Sequence, residues 1–166
     1  MQYPRHIGFE VAAIARGSNT AELAKKLGAH HYIDSAATDP AAALQALGGA
    51  KVIVITASGG KTIAETFKGL RPGGVSIDLG VGPEPIEVTS MDLIFGERKV
   101  AGSLTGNPAT ADTTLRFSAL GGVSAMIETV PLDQAAAAYA KMMAGQARFR
   151  IVLVTKHGNG QPGQPK

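Results

Sequence analysis

The residues best suited to chemistry gather where apolar runs stop. Val11 to Ala15 is a short apolar run that ends abruptly in Arg16-Gly17-Ser18, and a helical pattern opens at Asn19. An apolar run, a glycine turn and a helix make the βα half of a parallel βαβ unit. In nucleotide-binding sheets an acidic residue at such a strand end takes the adenosine ribose hydroxyls, whereas an arginine suits a 2′-phosphate. Arg16 and Ser18 hold that place with no carboxylate in the turn. The pattern points to a phosphorylated ribose; the competing reading is a solvated turn arginine. Thr56-Ala57-Ser58 and Gly80-Val81-Gly82 close two further apolar runs. Carboxyl ends of strands are where ligands sit in open α/β sheets. Ordinary turn chemistry competes here as well, because glycine and serine favour turns without any ligand.

Other reactive types are dispersed. His30 and His31 are adjacent, so on a strand they point to opposite faces and do not chelate together. Asp34 and Asp78 stand alone, with no paired carboxylates for acid–base work. There is no cysteine, which excludes disulfides and thiolate metal sites, and His6, His30, His31 and His157 are scattered. No catalytic residue and no metal ligand is therefore expected. A net charge of +3 without a dense basic run, and only 5% aromatics, is not the footprint of a nucleic-acid binder. No apolar run approaches the roughly 20 residues of a membrane span. Met1 to His6 shows no secretion pattern, and the lack of cysteine suits a reducing cytoplasm.

These residues need a scaffold, and strand and helix patterns alternate along the 166 residues. After the first strand, Asn19 with Glu22 reads as a capping box ahead of Leu23 and Leu27. A strand over His30 to Ile33 and an alanine-rich helix over Ala41 to Leu47 follow. Lys51 to Thr56 is β-branched without alternation, so it is expected to be covered on both faces. Thr62 to Leu70 reads as a helix stopped by Arg71-Pro72-Gly73-Gly74. Val75 to Leu79 is a strand, Ile86 to Val88 an extended piece, Met91 to Phe95 a helical turn and Lys99 to Leu104 a strand. Ala109 to Leu120 is helical and Met126 to Val130 extended. Pro131 opens a helix reaching Met143, with Tyr139 and Met142 inward, and Phe149 to Val154 is the last strand. Residues 155–166 carry no apolar anchor and are expected to be disordered. This alternation predicts an α/β fold with a parallel sheet covered by helices.

The ordered set of segments resembles the coenzyme domain of zinc-dependent, medium-chain alcohol dehydrogenases. The likeness runs through Gly8-Phe9-Glu10-Val11, Ala15-Arg16-Gly17 and Glu22 to Asp34. It continues through Leu70-Arg71-Pro72-Gly73-Gly74, Gly80-Val81-Gly82, Lys99 to Ser103 and Ala147 to Leu153. The resemblance implies a doubly wound parallel sheet of Rossmann type that lacks its first strand and its glycine-rich turn. It implies a partial NAD(P)-binding domain over 1–130. A helix and strand over 131–154 would return toward a missing catalytic domain. By this resemblance NADP, or alternatively NAD, is the cofactor, bound by Arg16, Gly17, Ser18, Thr56, Ala57, Gly80, Val81 and Gly82. Ser103 and Leu104 would lie near the nicotinamide amide. Arg150, with Arg148 as rival, would reach the pyrophosphate. Zinc serves the intact family, yet this chain has no ligand set for it. The parent reaction is NADP-dependent interconversion of alcohols and aldehydes or ketones, and the chain alone is expected to be inactive. A nucleotide-binding or dimerising remnant is the alternative, the dimer pairing through edge strand 99–104; a zinc-free quinone-reductase relative ranks below it. Pro4 is expected to break or kink the first helix.

Overall fold

A computed structural model describes residues 1–155; the expected tail lies outside them but for Thr155. The chain divides into two compact units, Met1–Phe117 and Ser118–Lys166. The first alternates helix and strand throughout: α1 Gln2–His6, β1 Ala12–Ala15, α2 Ala21–Lys26, β2 His31–Asp34, α3 Pro40–Ala46, β3 Ala50–Ile55, α4 Gly60–Phe67, β4 Leu70–Asp78, α5 Ser90–Ile94 and β5 Lys99–Gly102, with α6 Pro108–Gly121 beginning within it. All its strand pairs are parallel, in the orders β1-β2 and β3-β4-β5. This is the parallel α/β arrangement that the sequence pattern predicts, Rossmann-like as the resemblance implies. The ladder is interrupted between β1 and β3: no described strand bonds to the free edge of either.

One core serves both sheets. Ile33 of β2, Leu44 of α3, Ile53 and Ile55 of β3, Ile63 and Phe67 of α4, and Leu70 of β4 are buried together, with Ala12 and Ile14 of β1 packed against them. Each large aliphatic or aromatic side chain so buried contributes roughly 1.5–3 kcal/mol relative to exposure. β3 buries one face only. Ile53 and Ile55 are 7% and 5% exposed, while Val52 and Val54 are 39% and 56% exposed. The expectation of cover on both faces is thus corrected, because no described element packs over the second face of this strand as tightly as α3 and α4 pack over the first.

Several local expectations shift for identifiable reasons. α2 starts at Ala21, and Thr20 is its N-cap without a side-chain cap bond, so the Asn19–Glu22 box does not form. A capping box forms instead at Thr89 and Asp92 of α5. Pro4 is accommodated because it falls in the first turn of the described helix, where a missing N–H breaks no intrahelical bond. Arg71 to Gly74 does not stop a helix. Leu70 already belongs to β4, and the segment forms an irregularity in the β3–β4 register. Gly73 there has φ +73° and donates to Gly96 O at 2.8 Å. Ile86 to Val88 forms no strand.

The second unit holds the end of α6, then β6 Ile127–Pro131, a short 3₁₀ turn Leu132–Gln134, α7 Ala135–Met143 and β7 Arg150–Val154. β6 and β7 pair in parallel, Ile127 opposite Arg150 and Pro131 opposite Val154. Pro131 closes β6 and is also the N-cap of the 3₁₀ turn that leads into α7. α7 turns Ala138 inward, 7% exposed, whereas Tyr139 and Met142 are 62% and 49% exposed.

Candidate nucleotide site

The turn after β1 is built by β2. Ala15 and Asp34 are opposite in the ladder, so the next residue, Arg16, leaves the sheet beside the end of β2. Gly17 has φ +81°, a left-handed conformation that favours glycine. Its N–H donates to Asp34 Oδ1 at 2.7 Å, and its carbonyl accepts from the Tyr32 hydroxyl at 2.5 Å. Thr20 Oγ1 lies 2.7 Å from that same hydroxyl. Asp34 Oδ1 also accepts from Ala36 N at 2.9 Å. Tyr32 and Asp34 are two apart on a strand and so share a face. Sequence reasoning passed over Tyr32 and left Asp34 isolated. The available clue was a Tyr-x-Asp alternation closing the neighbouring strand.

Arg16 and Ser18 are exposed. Arg16 has no ion pair among the described residues. Arg16 and Ala57 line a common cleft of about 1270 Å³, together with Ile14, Ser35, Thr62 and Glu65. Asp39, Glu87 and Asp92 also line it, with Lys68 as the other cation. Thr89 donates to Asp92 through both hydroxyl and backbone N–H, which holds that carboxyl below its ordinary value. The cleft wall thus carries more carboxylates than cations.

The next two turns touch. A Cβ at Gly80 would lie 2.0 Å from Ala57 O, and one at Gly82 would lie 3.0 Å from Gly59 N. Gly80 N donates to Asp78 Oδ1 at 3.0 Å. Thr56-Ala57-Ser58 and Gly80-Val81-Gly82 therefore form one continuous backbone surface at the carboxyl ends of β3 and β4. Ser103 extends it, its N–H donating to Asp78 O at 2.9 Å, with Leu104 exposed just beyond. Arg150 belongs to the second unit, where it begins β7 and is exposed. Arg148 donates its backbone N–H to Glu128 at 2.9 Å.

The histidines are engaged locally. His30 Nδ1 accepts from Val11 N at 3.0 Å, and His31 Nε2 pairs with Glu10 at 2.7 Å, holding that carboxyl below its ordinary value. Among the described residues no three His, Cys, Asp or Glu side chains gather to hold a metal, so these residues do not fit zinc. No described helix is long and apolar enough to cross a membrane.

Comparison with known proteins agrees with this geometry. Residues 1–120 match the family described as zinc-binding dehydrogenase. Alcohol dehydrogenase patD of Penicillium expansum is 38% identical over 153 residues, covering 92% of this chain and 45% of that protein. The alcohol dehydrogenase structure from Aeropyrum pernix aligns with a TM-score of 0.75 at 26% identity, covering 87% of this chain and 42% of that one. A short chain alcohol dehydrogenase (rspB) from E. coli, complexed with NADH, shares the fold at a TM-score of 0.80 and 18% identity, covering 92% of this chain and 47% of that one. The chain spans about half the length of the curated relatives it matches.

Proposed function

Since this chain belongs to the zinc-binding dehydrogenase family, we propose that it is the coenzyme-holding part of an alcohol dehydrogenase-type oxidoreductase that uses NADP. The carrying observation is the exposed Arg16–Ser18 turn, which ends β1 on the cleft shared with Ala57 and has its arginine free of any ion pair among the described residues. The guanidinium would take the 2′-phosphate, the cleft the adenine, and the Ala57–Gly80 surface the remainder of the dinucleotide. In the whole protein the reaction would be hydride transfer from an alcohol carbon to the nicotinamide, with the hydroxyl proton released and an aldehyde or ketone formed. The described residues supply no metal ligand set, so the 166 residues alone are expected to bind coenzyme without turning over alcohols. Titration calorimetry of the chain with 2′,5′-ADP and 5′-AMP tests the reading. Tighter binding of the 2′-phosphorylated nucleotide supports it; equal binding, or none, rejects it.

A dimerising role has its own support. β5 is exposed along its length and among the described residues pairs only with β4, and Met91, Ile94 and Phe95, in and just after the preceding α5, are exposed apolar residues. A second copy adding its β5 would continue the sheet. A monomeric mass by light scattering at high concentration would exclude this role.

A further inference from the structure

Both flanking groups of Gly17 are fixed by side chains of the neighbouring strand, Asp34 on the N–H and Tyr32 on the carbonyl. The proton of the Tyr32 hydroxyl is committed to Gly17 O, so the 2.7 Å contact with Thr20 is a bond in which Thr20 donates and Tyr32 accepts. Three residues thus form a relay, Thr20 to Tyr32 to Gly17 O. Its far end is the N-cap of α2, so turn and helix start are tied together.

The relay has a local cost. Thr20 is the N-cap of α2 yet makes no side-chain cap bond. A threonine there ordinarily accepts from a backbone N–H of the first turn. Its hydroxyl serves the turn instead. The Ser18 carbonyl accepts from Ala21 N at 3.1 Å, and the side chains of β2 reach the turn at Gly17.

We propose that Tyr32 and Asp34 are positioning residues that hold Arg16 and Ser18 in the geometry that distinguishes a 2′-phosphorylated ribose from a plain one. This rests on the coenzyme reading above. Asp34 acts on the turn as a hydrogen-bond acceptor, its Oδ1 taking the N–H groups of Gly17 and Ala36. Its charge opposes a phosphate ligand, so what it contributes is the geometry of the turn.

The measured quantity is the ratio of 5′-AMP to 2′,5′-ADP dissociation constants, by calorimetry on the 166-residue chain. Tyr32→Phe keeps the ring and deletes the bond to Gly17. It should lower the ratio about three- to tenfold, the scale of one positioned hydrogen bond. Asp34→Ala should lower it similarly. Asp34→Asn keeps an acceptor for Gly17 and should hold the ratio at or above the wild-type value. A residue that only stabilises the fold would weaken both nucleotides together and leave the ratio fixed, and that result overturns the proposal. So does a ratio that falls in Asp34→Asn as far as in Asp34→Ala. A wild-type chain with no preference for the 2′-phosphate overturns the coenzyme reading itself, and this proposal with it. A wild-type preference that survives Tyr32→Phe overturns this proposal alone.

Discussion

Replacing Arg16 by alanine removes one exposed guanidinium and disturbs little else. The side chain has no ion-pair partner among the described residues, and the bonds that hold its turn use Gly17 and the Ser18 carbonyl. Folding stability should therefore move by no more than about 0.5 kcal/mol, as for ordinary surface substitutions. The effect on a phosphate ligand is larger. A unit charge pair at about 4 Å is worth ~1 kcal/mol in bulk water and ~4 kcal/mol at the effective dielectric of a protein surface. Hydrogen bonds to charged groups fall between, at about 1.5–3 kcal/mol. Taking ~2 kcal/mol, Arg16→Ala should weaken 2′,5′-ADP about 30-fold and leave 5′-AMP within about twofold. Calorimetry with both nucleotides measures this directly. Repeating it near 1 M salt, where screening acts over about 3 Å, should shrink the wild-type discrimination toward that of the variant. An equal loss for both nucleotides, or no loss for either, would refute the assignment of Arg16 to the phosphate.

Gly80→Ala places a Cβ 2.0 Å from Ala57 O, so the two turns must separate; a loss of about 1–3 kcal/mol in urea unfolding is expected, with weaker nucleotide binding. Ser76 is fully buried, its Oγ without a hydrogen-bond partner among the described residues, and Ser76→Ala should raise stability by about 1 kcal/mol, seen as a higher urea midpoint at unchanged slope. Lys141, then the Arg148 N–H, hold the Glu128 carboxyl below its ordinary value of 4.5. A lowered folded value means its stabilisation is present above pH 4.5 and lost as pH falls through the folded value. Glu128→Gln should then flatten the acid side of the stability profile, measured by thermal unfolding from pH 7 to pH 3.

Much of the scaffold was legible because it rests on local pattern. The β-branched run at Lys51 to Thr56 and the Ile63–Phe67 spacing fell where β3 and α4 lie. The Arg16 turn was legible for the same reason, as an apolar run punctuated by glycine. What escaped depends on partners distant in sequence. Tyr32 lies 15 residues from the carbonyl it holds, and no local period announces such a bond. The run Arg71 to Gly74 reads as a helix stop, but pairing with β3 and the Gly73–Gly96 bond draw it into β4. Tyr139 was expected inward by its apolar character, yet an alanine-rich helix can bury a small residue instead, and α7 presents Ala138.

The break in the ladder between β1 and β3 leaves each strand with an edge that no described strand pairs, above a core they already share. Such borders recruit extended polypeptide of any origin, because main-chain groups recognise one another without regard to side chains. The same seam that a well-matched segment would zip shut is therefore where crowded copies of this chain would cling to each other.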